Sequence, residues 1–138
     1  MTTDAWIVDA SIAAKWFRPS EIEPDRYLAE SLIAGSSIRT TTLCVYEVGN
    51  TLTRKTRDSS DQIARKLRAL IRFCGPPVDL AAADYAAITE LVRDHDLTFY
   101  DASYVAIARR LGRQVISADR DLLGPGLAVD LSTAIGAD

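Results

Sequence analysis

The 138-residue chain has one histidine, two cysteines and one methionine, and each scarcity removes a class of function. His95 stands alone in the polar turn Asp94-His95-Asp96. It lacks the partners for a histidine-based triad or a zinc site, and reads as a solvated loop residue. Cys44 and Cys74 lie in apolar surroundings without C-x-x-C spacing. They are expected as buried reduced thiols in a cytoplasmic protein, not as a bridge or a metal clamp. No run approaches the roughly 18 apolar residues of a membrane span, and Met1-Thr2-Thr3-Asp4 has no basic start of a targeting peptide. A soluble protein is expected. Without repeats, linkers or low-complexity stretches, the length fits one domain, 1–138, able to bury roughly two thirds of its unfolded surface.

Acids outnumber bases by 19 to 16, for a net charge of -3. Such a balance argues against a polyanionic partner unless the acids gather around cations that cancel their charge. The hydrophobic pattern supplies a frame for such a gathering. Ala5-Trp6-Ile7-Val8 reads as a buried parallel strand ending at Asp9, followed by a helix through Ile12, Ala13, Trp16 and Phe17 that Pro19 stops. Tyr27 to Ile33 mark a second helix closed by Gly35, and Ile38-Arg39-Thr40-Thr41 a second strand. Helical periodicity then runs from Leu43 to Arg57, from Ile63 to Ile71 up to Gly75-Pro76-Pro77, and from Tyr85 to Val92. Val78-Asp79-Leu80 is a candidate short strand. The helix after Asp101 ends at Gly112, Gln114 to Ser117 is a strand leading to Asp119, and Leu122 to Gly126 form a turn. Ala128 to Leu131 are a last strand, with Ser132 onward a tail. Strands separated by helices predict an α/β fold, a parallel sheet covered on both faces, whose site lies outside the carboxyl ends of the strands.

Four acids occupy comparable places: Asp9 and Asp119 after strands, Asp101 at a helix start, and Glu47 inside a helix. Each has a plainer reading, since Asp caps helices and forms turns and Glu favours solvated helix positions. Glu47, Asn50 and Thr51 share a polar helix edge beside the core positions Val45, Val48 and Leu52. If the four converge, their repulsion calls for protonation or a bound cation, and oxygen-only ligands select Mg²⁺ or Mn²⁺.

Four segments in this order resemble the PIN-domain ribonucleases: Ile7-Val8-Asp9-Ala10-Ser11, Tyr46 to Leu52 around Glu47, Tyr100-Asp101 to Ala108, and Ile116-Ser117-Ala118-Asp119-Arg120-Asp121-Leu122. Size and motif order are similar to the VapC toxins of toxin–antitoxin systems. One departure is Ser117, where the family often has threonine. The resemblance implies a three-layer α/β/α PIN-like domain with a central parallel sheet of four to five short strands. It also implies Mg²⁺- or Mn²⁺-dependent endoribonuclease activity with one or two ions, an RNA substrate, a homodimer and a VapB-type antitoxin. In that reading Asp9 and Asp101 are primary metal ligands, Asp119 a ligand to the same or a second ion, and Glu47 a ligand or a base acting through water. Ser11, Asn50 and Ser117 would orient carboxylates or phosphate, and Asp121 is taken as a turn residue. The chemistry implied is in-line attack of water on phosphorus, leaving 5′-phosphate and 3′-hydroxyl ends.

Arg65, Arg68 and Arg72 form a helical stripe, with Arg54, Lys55 and Arg57 at the preceding helix end. They read either as a solvated face or as an RNA-backbone track, and Lys15, Arg18 and Arg120 lie nearer the acids in sequence. Trp16 and Phe17 are adjacent, so one is expected exposed, forming with Tyr27 and Leu28 a groove for an antitoxin helix; the alternative is that both fill the core. Competing functions are a phospho-aspartate phosphatase, disfavoured by serine at position 11, a non-catalytic metal-stabilised interaction domain, and a PIN nuclease of RNA processing.

Overall fold

The computed structural model describes residues 5–136; Met1-Thr2-Thr3-Asp4, read above for targeting signals, lie outside the described residues. Its centre is a parallel sheet of four short strands, β1 (Ala5–Val8), β2 (Ser37–Arg39), β3 (Gln114–Ile116) and β4 (Ala128–Val129). The spatial order is β2-β1-β3-β4. Ile7 lies opposite Arg39 on one side and Val115 on the other, and Ile116 opposite Val129. The Val78 segment contributes a single parallel bridge to Thr41 rather than a strand. β-Branched residues dominate the two inner strands because both sheet faces are covered: Ile7, Val8, Val115 and Ile116 are all buried.

Helix α1 (Ala10–Ala13) continues as a 3-10 turn through Trp16, and α2 (Arg26–Gly35) completes the first crossover. The second crossover carries α3 (Thr42–Lys55), α4 (Ser60–Cys74), α5 (Asp84–His95) and α6 (Phe99–Arg110). These crossovers run in opposite directions along the sheet, and right-handed connection therefore places α2 on one face and α6 on the other. The expected three-layer α/β/α arrangement is present. Local chemistry sets the helix limits: Thr41 caps α3, Ser59 and Gln62 form a reciprocal capping box on α4, and Gly75 at φ 73° releases the chain after it.

Two expectations near the carboxyl terminus are corrected. Leu122 and Leu123 belong to a short helix, α7 (Arg120–Leu123), and the supposed tail forms α8 (Leu131–Ile135). Asp130 starts α8 by accepting a hydrogen bond from Thr133 N, and Leu131 is buried. The signal lay in the cap, and a five-residue helix is too short to show periodicity.

Trp16 and Phe17 are both buried, at 4% and 8% exposure, which corrects the expectation that one faces solvent. The 3-10 turn allows it, because it changes the angle between successive side chains. Trp16 donates its indole N–H to Ala29 O at 2.7 Å, and both rings pack on Phe73 of α4.

A half-buried ion pair ties α5 to α6. Asp84 accepts two hydrogen bonds from Arg110 Nε, at 3.0 and 3.1 Å, and one from Ala81 N. Burial alone would raise this carboxyl; the Arg110 and Ala81 bonds outweigh it and lower it. Arg110→Ala would strand a buried carboxylate, so denaturant unfolding should show a loss of about 2 kcal/mol, reduced from a fully enclosed pair because the arginine is partly exposed.

Candidate active site

The sheet order reverses direction at β1, which pairs with β2 on one side and β3 on the other. In open α/β sheets the crevice at such a reversal is the ligand site. Asp9 leaves β1 and Asp119 follows β3, so the topology alone sets these two acids beside each other.

Asp9 is 5% exposed and each of its oxygens is engaged. Oδ1 accepts from Ser11 Oγ at 2.5 Å and from Ile12 N at 3.2 Å, making Asp9 the cap of α1; Oδ2 accepts from Ser117 Oγ. The two hydroxyls are held in turn from behind, Ser11 Oγ accepting from Ala118 N and Ser117 Oγ from Asp119 N, both at 2.9 Å. A hydroxyl that donates to Asp9 while accepting from the β3–α7 turn fixes the relative position of the two segments. The Ser-for-Thr departure leaves this role intact, because only the oxygen is used.

Asp101 does not cap its helix, as the plainer reading had it. Thr98 does, accepting from Asp101 N at 3.0 Å, which places the Asp101 carboxylate in the first turn, where a bond with Thr98 offsets part of the rise in its carboxyl. Oxygen atoms of Asp101, Asp119 and Asp121 all lie within 4.8 Å of one another. Asp121 is thus more than a turn residue. Asp119 caps α7 by accepting from Asp121 N at 2.9 Å, which swings the second carboxylate alongside the first. The D-x-D spacing was the available signal.

Glu47 enters from α3. Its Oε1 accepts from the hydroxyl of Tyr104 at 2.6 Å. Tyr104 had been read only as part of the buried face of α6, and nothing in helical periodicity distinguishes a packed tyrosine from one whose hydroxyl holds a carboxylate. Burial raises the Asp101 carboxyl, and the neighbouring charges of Asp119 and Glu47 push it further in the same direction. Asp119 thus acts on both Asp9 and Asp101, and Glu47 on Asp101, which links the four predicted acids along one rim.

Beside Glu47 opens a cleft of about 420 Å³, lined by Ser11, Lys15, Arg18, Glu23, Glu47, Asn50, Thr51, Lys55 and Ala118 among others. Lys15 and Arg18 are not free cations there. Lys15 pairs with Glu23 at 3.1 Å and Asp25 at 3.0 Å, and Arg18 with Glu23 at 3.3 Å. Asn50 turns its oxygen to Arg54 Nε, 3.0 Å away, rather than to a carboxylate. Lys55 lines the same cleft with no ion pair recorded among the described residues. Arg65, Arg68, Arg72 and Arg120 are exposed. A separate basin of about 450 Å³ has Trp16, Phe17, Pro19 and Ala69 against Arg26, Arg65 and Lys66. Tyr27 is exposed and Leu28 half-buried on the neighbouring helix, and neither lines it.

The donor set of the acid cluster is oxygen only, which suits a hard divalent cation. Asp101, Asp119 and Asp121 supply close carboxylates, with Asp9 and Glu47 at the edges. Crowded negative groups without a cation are unfavourable, and the charges of Asp119 and Glu47 add to the rise that burial gives the Asp101 carboxyl.

The PIN domain family matches residues 6–124. The chain is 31% identical over 123 residues to Ribonuclease VapC3 of Pyrobaculum aerophilum, covering 84% of this chain and 90% of that protein. Among solved structures it is similar to PAE2754 from the same organism, with 25% identity, TM-score 0.69, and coverage of 96% of this chain and 93% of the other. A toxin–antitoxin complex from Klebsiella pneumoniae shares the fold at 15% identity, TM-score 0.68, over 91% and 96% of the two chains. The protein belongs to the PIN-domain family and, within it, to the VapC ribonucleases.

Burial is the largest influence on Asp9; the Ser11, Ser117 and Ile12 bonds pull its carboxyl down and Asp119 pushes it up, leaving it at about 6 against an ordinary 3.8. A carboxyl raised in the folded state stabilises the protein below its unfolded value and loses that contribution as pH rises through the folded one. With chelator present, Asp9→Asn should therefore unfold at higher temperature than wild type above pH 6. The gain is on the order of 2 kcal/mol and fades toward pH 4, since Asn caps a helix as well as Asp. Thermal unfolding across that range measures it.

Proposed function

We propose that this chain is a Mg²⁺- or Mn²⁺-dependent endoribonuclease that serves as the toxin of a VapBC pair. The observation that carries the reading is the convergence of Asp9, Glu47, Asp101 and Asp119, joined by Asp121, at the strand-order reversal. A bound divalent cation would supply Lewis acidity for water and charge compensation at the scissile phosphate. Asp101, Asp119 and Asp121 would hold it, with Asp9 and Glu47 adjoining; whether one ion or two bind follows from how many of these oxygens engage.

The chain's own residues account for the rest. Ser11 and Ser117 keep Asp9 oriented toward the turn that bears Asp119. Glu47 lines the cleft where the substrate strand would lie, and with one oxygen held by Tyr104 its other would serve as a further ligand to the ion or as a base acting through water. Since Lys15 and Arg18 are neutralised by Glu23 and Asp25, Lys55 is the cleft cation best placed to meet an RNA phosphate, with Arg120 beside the acids. The outer arginines of α4 extend the same sign of charge.

For the antitoxin, the basin floored by the aromatic pair Trp16 and Phe17 and rimmed by Arg26, Arg65 and Lys66 fits an amphipathic segment with acidic flanks. That the related fold in Klebsiella pneumoniae occurs in a toxin–antitoxin complex supports such a partner. The reading includes a homodimer, for which exposed Tyr46, Leu80 and Tyr85 offer apolar surface, and a reducing cytoplasm, consistent with free Cys44 and Cys74.

The test is cleavage of an internally labelled RNA with Mg²⁺, Mn²⁺ or chelator. Asp101→Asn should fall at least about 100-fold while remaining folded, with internal cuts leaving 5′-phosphate ends in the wild type. Retained activity in the variant or in chelator would defeat the metal reading, and single-nucleotide products released from one end would replace endonuclease with exonuclease. In a second measurement, Lys55→Ala should weaken RNA binding by the inactive Asp101→Asn protein and lower the salt slope of log K by about 0.7, with no change in which RNAs are preferred.

A further inference from the structure

Helix α6 reaches the acid rim with two side chains, Asp101 and, one turn later, Tyr104. The Tyr104 ring is 1% exposed, and its hydroxyl lies 2.6 Å from Glu47 Oε1. Because a carboxylate only accepts and a phenol at neutral pH still holds its proton, the hydrogen bond runs from Tyr104 to Glu47. No other side-chain bond to Glu47 occurs among the described residues.

Glu47 is otherwise poorly constrained. It has three side-chain torsions, an open cleft on one side, and the like charge of Asp101 on the other. Repulsion favours rotamers that turn away into the cleft, and a half-buried glutamate bordering that opening has the freedom to follow. Tyr104 opposes this from a rigid ring packed in the core, on the same helix and the same face as Asp101. The separation of the two carboxylates is thereby tied to the geometry of one helical turn.

Resting on the metal-dependent reading above, we propose that Tyr104 is a positioning residue whose buried hydroxyl holds the Glu47 carboxylate in register with Asp101, so that a divalent cation meets oxygens already in place. The bond crosses 57 residues of sequence and joins α3 to α6. It converts two independently placed acids into one unit, and its contribution should appear as metal affinity rather than as fold stability.

The test uses the metal-stripped full chain as wild type, Tyr104→Phe, Glu47→Gln and the double variant, with Mn²⁺ binding followed by calorimetry and unfolding followed in chelator. Tyr104→Phe keeps the ring and removes the donor. Mn²⁺ binding should weaken by about 10–100-fold, the range seen when a group supporting a metal ligand is lost, while the unfolding temperature in chelator stays close to wild type. Adding Tyr104→Phe to Glu47→Gln should cost little more, because the hydroxyl acts through that carboxylate. Glu47→Asp, which withdraws the carboxylate from the phenol by one methylene, should reproduce the loss with the Tyr104 ring untouched. Mn²⁺ affinity in Tyr104→Phe within about two-fold of wild type, or an equal further loss on top of Glu47→Gln, would overturn the positioning role. A wild type that takes up no Mn²⁺ would instead bring down the metal-dependent reading and this role with it.

Discussion

Repulsion between carboxylates is the constraint that the rest of this structure answers. Five acidic side chains from four separate segments meet at one edge of the sheet, where burial and like charge together raise the carboxyls of Asp9 and Asp101. A hydrophobic core cannot hold such groups together, since it gives no direction to a polar side chain. Directed bonds do it instead: two serine hydroxyls on Asp9, a backbone N–H on Asp119, a phenol on Glu47, and the Thr98 cap on the turn that bears Asp101. Each brace comes from an element whose own position is fixed by burial, so the energy that sets the site apart is drawn from packing elsewhere.

The parallel sheet contributes the coarse placement. With β1 flanked by β2 and β3, the ends of β1 and β3 open on the same crevice, and one acid follows each. The sign of the surrounding field is handled locally. Lys15 and Arg18 are cancelled by Glu23 and Asp25, while Lys55 in the same cleft, Arg120 beside the acids and the outer arginines of α4 have no ion pair among the described residues. An overall acidic chain can in this way keep local positive charge around its acid cluster.

The strand–Asp–helix rhythm made the sheet and the positions of Asp9 and Asp119 legible before any coordinates, because the hydrophobic period changes from buried strand to helix at those residues. Asp101 was located correctly and its plainer role misassigned, since the cap was Thr98, three residues earlier. What stayed hidden was whatever depends on side-chain direction. Trp16 and Phe17 both turn inward because the helix tightens to a 3-10 turn there, a change with no periodic signature in so short a stretch. Lys15 and Arg18 were read by proximity in sequence to Asp9, yet the loop bearing Glu23 and Asp25 folds back to claim them. Tyr104 reads as core, which it is, and only its hydroxyl tip meets Glu47.

Asp9 lies near the amino terminus, while the serine and the turn that secure it lie 108 residues further along. During synthesis β1 therefore leaves the ribosome with only the local Ser11 and Ile12 bonds on its carboxylate, and the second oxygen waits for its partner until β3 has been made. Assembly of the acid rim is postponed until β3 and the turn after it have emerged, and a fragment truncated before β3 has no means of completing it.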